Sequence, residues 1–179
     1  MTAGIAIILA IRLILPLTIF RWPLFGGLLA VVIDTLDVVI IELLGLGGFG
    51  PHYQTLDKAQ DLYYLGIEFL VATRWDNPWA KWPALLLFPY RLMGAVMFEI
   101  THVRVLLFVF PNLFENWWLY CVIVARFAPR YEPRSLVSTA VPLVLLLLPK
   151  MGQEYMLHYA EVKPWDWIKR EILRGAWSR

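Results

Sequence analysis

"IDTLDVVI", residues 33–40, sets Asp34 and Asp37 three apart among β-branched and aliphatic side chains. A carboxylate in such surroundings is costly unless something charged or hydrogen-bonding meets it. The rest of the chain shows that the surroundings are lipid-like. Of 179 residues, 60% are hydrophobic, 15% aromatic and 17% charged, with a mean hydropathy of +0.62. A soluble domain of this length needs a more polar exterior. Several stretches approach the roughly 20 apolar residues that cross a hydrocarbon core. The expectation is an all-α, polytopic integral membrane protein forming a single domain over 1–179, without internal repeat or linker.

Six membrane helices follow from the pattern. The first covers about Gly4–Phe20 and ends at "RWP"; the second covers about Pro23–Leu46, opening on a proline suited to a first turn and ending at "GLGGFGP". The third starts near Thr55. "TRWDNPWAKWP" reads as an interfacial loop, with Trp75, Trp79 and Trp82 placed for an aromatic belt. The fourth covers about Ala84–Glu99 and the fifth about Val105–Phe127. The sixth starts near Leu136 and continues past Pro149 to His158. The tail, about 161–179, is too polar to span. Its Trp165, Trp167, Ile168, Ile172 and Leu173 set against Lys169, Arg170 and Arg174 suit an amphipathic helix at the interface.

The start of the chain does not read as a signal peptide, because Arg12 interrupts the apolar run and no basic region precedes it. Cys121 is the single cysteine, which excludes an internal disulfide and a Cys-based metal site. Arg21, Arg74, Lys81, Arg126, Arg130 and Arg134 fall on one side, and Arg104 and the basic tail on the other. The near balance leaves orientation undecided. The location expected is a membrane of the bacterial cell-membrane type, crossed several times. The partners expected are membrane lipid and, on one reading, a larger membrane complex; nothing points to nucleic acid.

Polar residues inside spans carry the functional information, since each is expensive in lipid and faces protein or water. The second helix holds Asp34, Asp37 and Glu42, and the third holds Asp57, Asp61 and Glu68. Asp34 and Asp37 share a face at i,i+3; Asp57, Asp61 and Glu68 form one stripe at i, i+4 and i+11. The two helices are joined by about ten residues, so the pairs converge toward the loop. Converging carboxylates repel unless they are protonated, paired with bases or bridged by a cation, and an all-oxygen set suits Mg²⁺ or Mn²⁺. The alternative is that Arg12, Lys58 and Arg91 neutralise the acids as intramembrane ion pairs.

D-x-x-D late in a second helix followed by D-x-x-x-D in a third resembles the CDP-alcohol phosphatidyltransferases. "AIRLILPL" is similar to that family's arginine-bearing first helix, and "YRLMGAVMFEI" loosely resembles its fourth. The resemblance implies a six-helix membrane enzyme, with Asp34, Asp37, Asp57 and Asp61 as ligands of Mg²⁺ or Mn²⁺. It gives Asp61 a second role as catalytic base on the incoming alcohol, two divalent ions stabilising the transferred phosphoryl group. It covers about 30 residues. Val38, Ile41 and Glu42 stand where the family has glycine, alanine and arginine, and Tyr53 stands where it has glycine; the spacer between acid pairs is two residues longer. Those elements serve the CDP group, so the resemblance implies a metal-dependent phosphotransferase-like protein acting with another donor on a lipid or lipid-linked substrate. Two other readings stand beside it: a non-enzymatic accessory or structural subunit of a membrane complex, and an ion- or proton-coupled carrier using Asp34 and Asp61.

Weaker signals complete the set. Glu99 and His102 at i,i+3, with Glu154 and His158 at i,i+4, are two halves of a conceivable bundle metal site, or else ordinary polar residues at a surface turn. Asn112, Glu115 and Asn116 share a face beside Pro111; they either line a polar cavity opposite the acidic cluster or, the favoured reading, serve structurally by satisfying freed backbone or joining helices. "GLGGFG" is not a phosphate loop, because no lysine follows and it joins helices.

Overall fold

The computed structural model describes residues 3–43 and 53–160, and side chains at 7–36, 59–157, 159 and 160. The described residues form helices and no strand: α1 (Ala3–Ile14), a 3₁₀ segment (Leu15–Phe20), α2 (Pro23–Leu43), α3 (Tyr53–Ala72), α4 (Pro78–Thr101), α5 (Val105–Val109), α6 (Leu113–Phe127) and α7 (Leu136–Glu154). Three stretches are long and apolar enough to cross a membrane: Pro78–Thr101, Val105–Phe127 and Leu136–Leu157. At about 1.5 Å per residue each exceeds the ~30 Å hydrocarbon thickness. Ile7–Phe20 and Pro23–Leu36 are apolar but shorter. The amphipathic tail lies outside the described residues.

Local chemistry moves several expected boundaries. Pro16 has no N–H, so the first helix tightens into 3₁₀ geometry instead of running on as α-helix to Phe20. The Thr18 hydroxyl donates to the Leu15 carbonyl at 2.7 Å, and Tyr63 of α3 donates to the Leu13 carbonyl at 2.9 Å. The fourth helix starts six residues before the expected Ala84, at Pro78. The Asn77 side chain accepts from the Trp79 N–H at 3.0 Å, and Pro78 occupies the first turn, where a proline fits. "PWAKWP", residues 78–83, is therefore helix, not loop. Trp79 and Trp82 remain exposed on it, whereas Trp75 sits 6.3 Å from Trp118 at the edge of the core.

The expected fifth helix divides at Pro111 into α5 and α6. Its freed carbonyls are met from α4: Tyr90 donates to Val109 O at 2.7 Å and Arg91 to Phe110 O at 3.0 Å. Close approach here depends on Gly94, because a Cβ at that position would lie 2.2 Å from Phe110 Cβ. α7 opens on a Ser135–Ser138 capping box and runs through Pro142 and Pro149.

Trp117, Trp118 and Phe114 of α6 are fully buried and centre the core. Each indole N–H finds a carbonyl at 2.9 Å, Trp117 on Ala80 of α4 and Trp118 on Glu68 of α3. Buried indoles need such partners, and these two fix the spacing of α6 against its neighbours. Gly27 of α2 admits the Trp118 ring, which a Cβ would approach to 2.6 Å.

The two glycines of α3 and α4 separate packing from propensity. Gly94→Ala, overpacked against Phe110, is expected to cost about 1–3 kcal/mol. Gly66→Ala, with nothing within 4 Å of the added methyl, is expected to be neutral or to stabilise by about 0.5–1 kcal/mol. Thermal melts of both variants in one detergent check the sign of each.

Candidate functional site

The acids are met by an arginine. Arg12 lies in the last turn of α1, where the helix dipole favours a cation. Its guanidinium pairs with Asp34 of α2 and, at 3.2 Å, with Asp61 of α3. The Arg12 side chain is 4% exposed and each aspartate 28%, so a buried cation is shared by two carboxylates that keep an edge open. Three helices are thereby joined at one point. Such a site is held by Coulomb attraction in a poorly screened environment, offset by the cost of removing three charges from water.

Beside it lies a cavity of ≈ 10 Å³ lined in part by Arg12, Asp34, Gln60 and Tyr64, room for about one water molecule. The Gln60 carbonyl oxygen is buried there without a partner among the described residues. The cavity is far below the few hundred Å³ of an ordinary small-molecule pocket.

Of the four expected metal ligands, Asp34 and Asp61 are brought together, with Arg12 between them. Asp37 and Asp57 fall in α2 and α3 by backbone, and their side chains, with those of Glu42 and Lys58, lie outside the described residues. Among the described residues no group of three His, Cys, Asp or Glu side chains is arranged to hold a metal ion. Arg91, the other proposed neutraliser, binds the Phe110 carbonyl and lies within electrostatic reach of Glu115.

A second polar seam joins α6 to α7. Asn112 donates its backbone N–H to Glu154 at 3.1 Å and its side-chain amide to Glu115 at 2.7 Å. Lys150 pairs with Glu154 at 3.3 Å, both side chains nearly buried, and donates to Gln153 at 3.1 Å. The expected structural role of Asn112 is seen, but the carbonyl released at Pro111 goes to Arg91. Glu154 is engaged by Lys150, and His158 has no described side chain. His102 terminates α4 as a left-handed residue with φ 56°, which accounts for it as a surface turn. Lys150 was missed from sequence; the signal was present in "PKMGQE", a lysine in an apolar run with a glutamate four residues on.

No protein-family profile, no curated protein and no solved structure matches this chain.

Removing the shared cation strands two carboxylates. Arg12→Met is expected to destabilise by about 3–5 kcal/mol, and combining it with Asp34→Asn and Asp61→Asn should recover a large part of the loss. Unfolding of the single and combined variants measures this; equal costs for the single and triple variants would show that the three groups do not act together.

Proposed function

We propose that this chain is a multi-pass integral membrane protein whose first aspartate cluster is a structural ion-pair lock, and that it works as a non-enzymatic accessory or structural subunit of a larger membrane complex. The observation that carries this reading is Arg12 between Asp34 and Asp61. A divalent ion would need the same oxygens, and the arginine charge repels it. The water-sized cavity is consistent with a site that takes no headgroup or nucleotide. The apolar face of α7 supports embedding: 6% of its spanning stretch is buried within the protein, against 50% for Val105–Phe127, so lipid or a partner must cover it. Six passes would comprise α1 with its 3₁₀ extension, α2, α3, α4, α5 with α6, and α7.

A second reading, a metal-dependent phosphotransferase-like protein acting on a lipid substrate, is favoured by one observation. Asp34 and Asp61, from the two halves of the D-x-x-D and D-x-x-x-D pattern, do converge and remain partly open. Asp37 and Asp57 would complete the Mg²⁺ or Mn²⁺ set, with Asp61 as base, once Arg12 swung away.

Thermal denaturation of the purified protein with and without millimolar Mg²⁺ or Mn²⁺ separates the two, since a ligand of the folded state raises its melting temperature. The lock reading expects no shift beyond that of a salt control. A rise abolished by Asp57→Asn would establish the metal reading instead. In either case CDP-diacylglycerol is expected to bind poorly, because valine, isoleucine and glutamate stand at 38, 41 and 42 where the family resembled has glycine, alanine and arginine; saturable binding or release of CMP would contradict this.

A further inference from the structure

Glu68, in the middle of α3, is fully buried, and neither of its carboxylate oxygens has a hydrogen-bond partner among the described residues. Its side chain reaches the junction of α2 and α6: a Cβ on Gly27 would stand 3.4 Å from Oε1. The Trp118 indole of α6 is committed to the backbone carbonyl of Glu68. Another acid, Glu115 of α6, lies within electrostatic reach of Glu68. Tyr64, one turn earlier on α3, lies within reach of both.

Glu115 in turn has a side-chain hydrogen bond with Tyr64 and lies within electrostatic reach of Lys150 of α7, Asp34 of α2 and Arg91 of α4. Both cations have other partners, Arg91 the Phe110 carbonyl and Lys150 the Glu154 carboxylate. Glu115 itself accepts from the Asn112 amide. The Asn116 side-chain oxygen, on the next residue, is buried and unpartnered as well.

We propose that the buried Glu68 carboxylate binds one monovalent cation, a proton or Na⁺, inside the helix bundle. One positive charge supplies what the buried carboxylate lacks. A divalent ion fits less well, because it demands a fuller acidic oxygen set, and no cluster of three such ligands occurs among the described residues. Intramembrane acids facing the interior mark ion pathways and proton relays, so the site equips the protein to respond to pH or to sodium. It uses neither Arg12, Asp34 nor Asp61, although Tyr64 borders both clusters, and it holds for either reading of those aspartates.

The test uses the full chain in nanodiscs, with Glu68→Gln as a neutral variant of nearly the same shape. In sodium-free buffer near neutral pH, infrared spectroscopy reads the C=O stretch of protonated carboxyls; NaCl is then titrated against choline chloride while the melting temperature is followed. A proton site gives a protonated-carboxyl band that Glu68→Gln removes and NaCl does not alter. A sodium site gives a saturable rise in melting temperature with NaCl, absent in choline and in Glu68→Gln. Glu115→Gln keeps Glu68 and removes the nearby acid, so it should shift the band or weaken the sodium response. It also serves if Glu68→Gln does not fold. Absence of both signals, or their persistence unchanged in the variants, overturns the proposal.

Discussion

The structure depends on where the charge of Arg12 goes. A guanidinium in an apolar bundle must find acceptors, and among the described residues Arg12 pairs with one from each of the next two helices. That arrangement explains why Asp34 persists in the β-branched run 33–40. Asp34 and Asp61 both supply counter-charge for an arginine on the first helix. Without the arginine, both acids would push α2 and α3 apart; without the acids, Arg12 would have no reason to enter the bundle. Apolar side chains alone give little direction to helix association in lipid, so polar contacts and close packing set the geometry.

The remaining contacts repeat the same physical theme at each break in the helices. Where Pro16 interrupts α1, hydroxyls of Thr18 and Tyr63 meet carbonyls. Where Pro111 divides α5 from α6, Tyr90, Arg91 and Glu154 meet the exposed backbone. Buried backbone left open must find a partner, and here side chains from the same segment and from neighbouring helices supply it. The buried Trp117 and Trp118 add direction, since each indole N–H selects one carbonyl on an adjacent helix. Glu68 stands outside this pattern, a fully buried acid whose oxygens nothing described satisfies.

Much of this was legible in the sequence, and the misses have physical causes. The helical class and the start of α2 at Pro23 follow from composition and proline chemistry. Arg12 was among the candidate neutralisers on charge alone. That it takes both Asp34 and Asp61 depends on the rotation of α1, which its apolar sequence leaves open. Arg91 was expected to meet an acid, yet a carbonyl freed nineteen residues later claims it; no local pattern reports such a partner. The early start of α4 was hidden by tryptophans and prolines that suit an interfacial loop equally well. The tail and the side chains of Asp37 and Asp57 lie outside the described residues.

The most direct test of the lock is an experimental structure of the full chain in lipid nanodiscs with excess Mn²⁺. The account predicts the Arg12 guanidinium between the Asp34 and Asp61 carboxylates, with no metal density among Asp34, Asp37, Asp57 and Asp61. A metal peak coordinated by these aspartates, with Arg12 turned away, would contradict it.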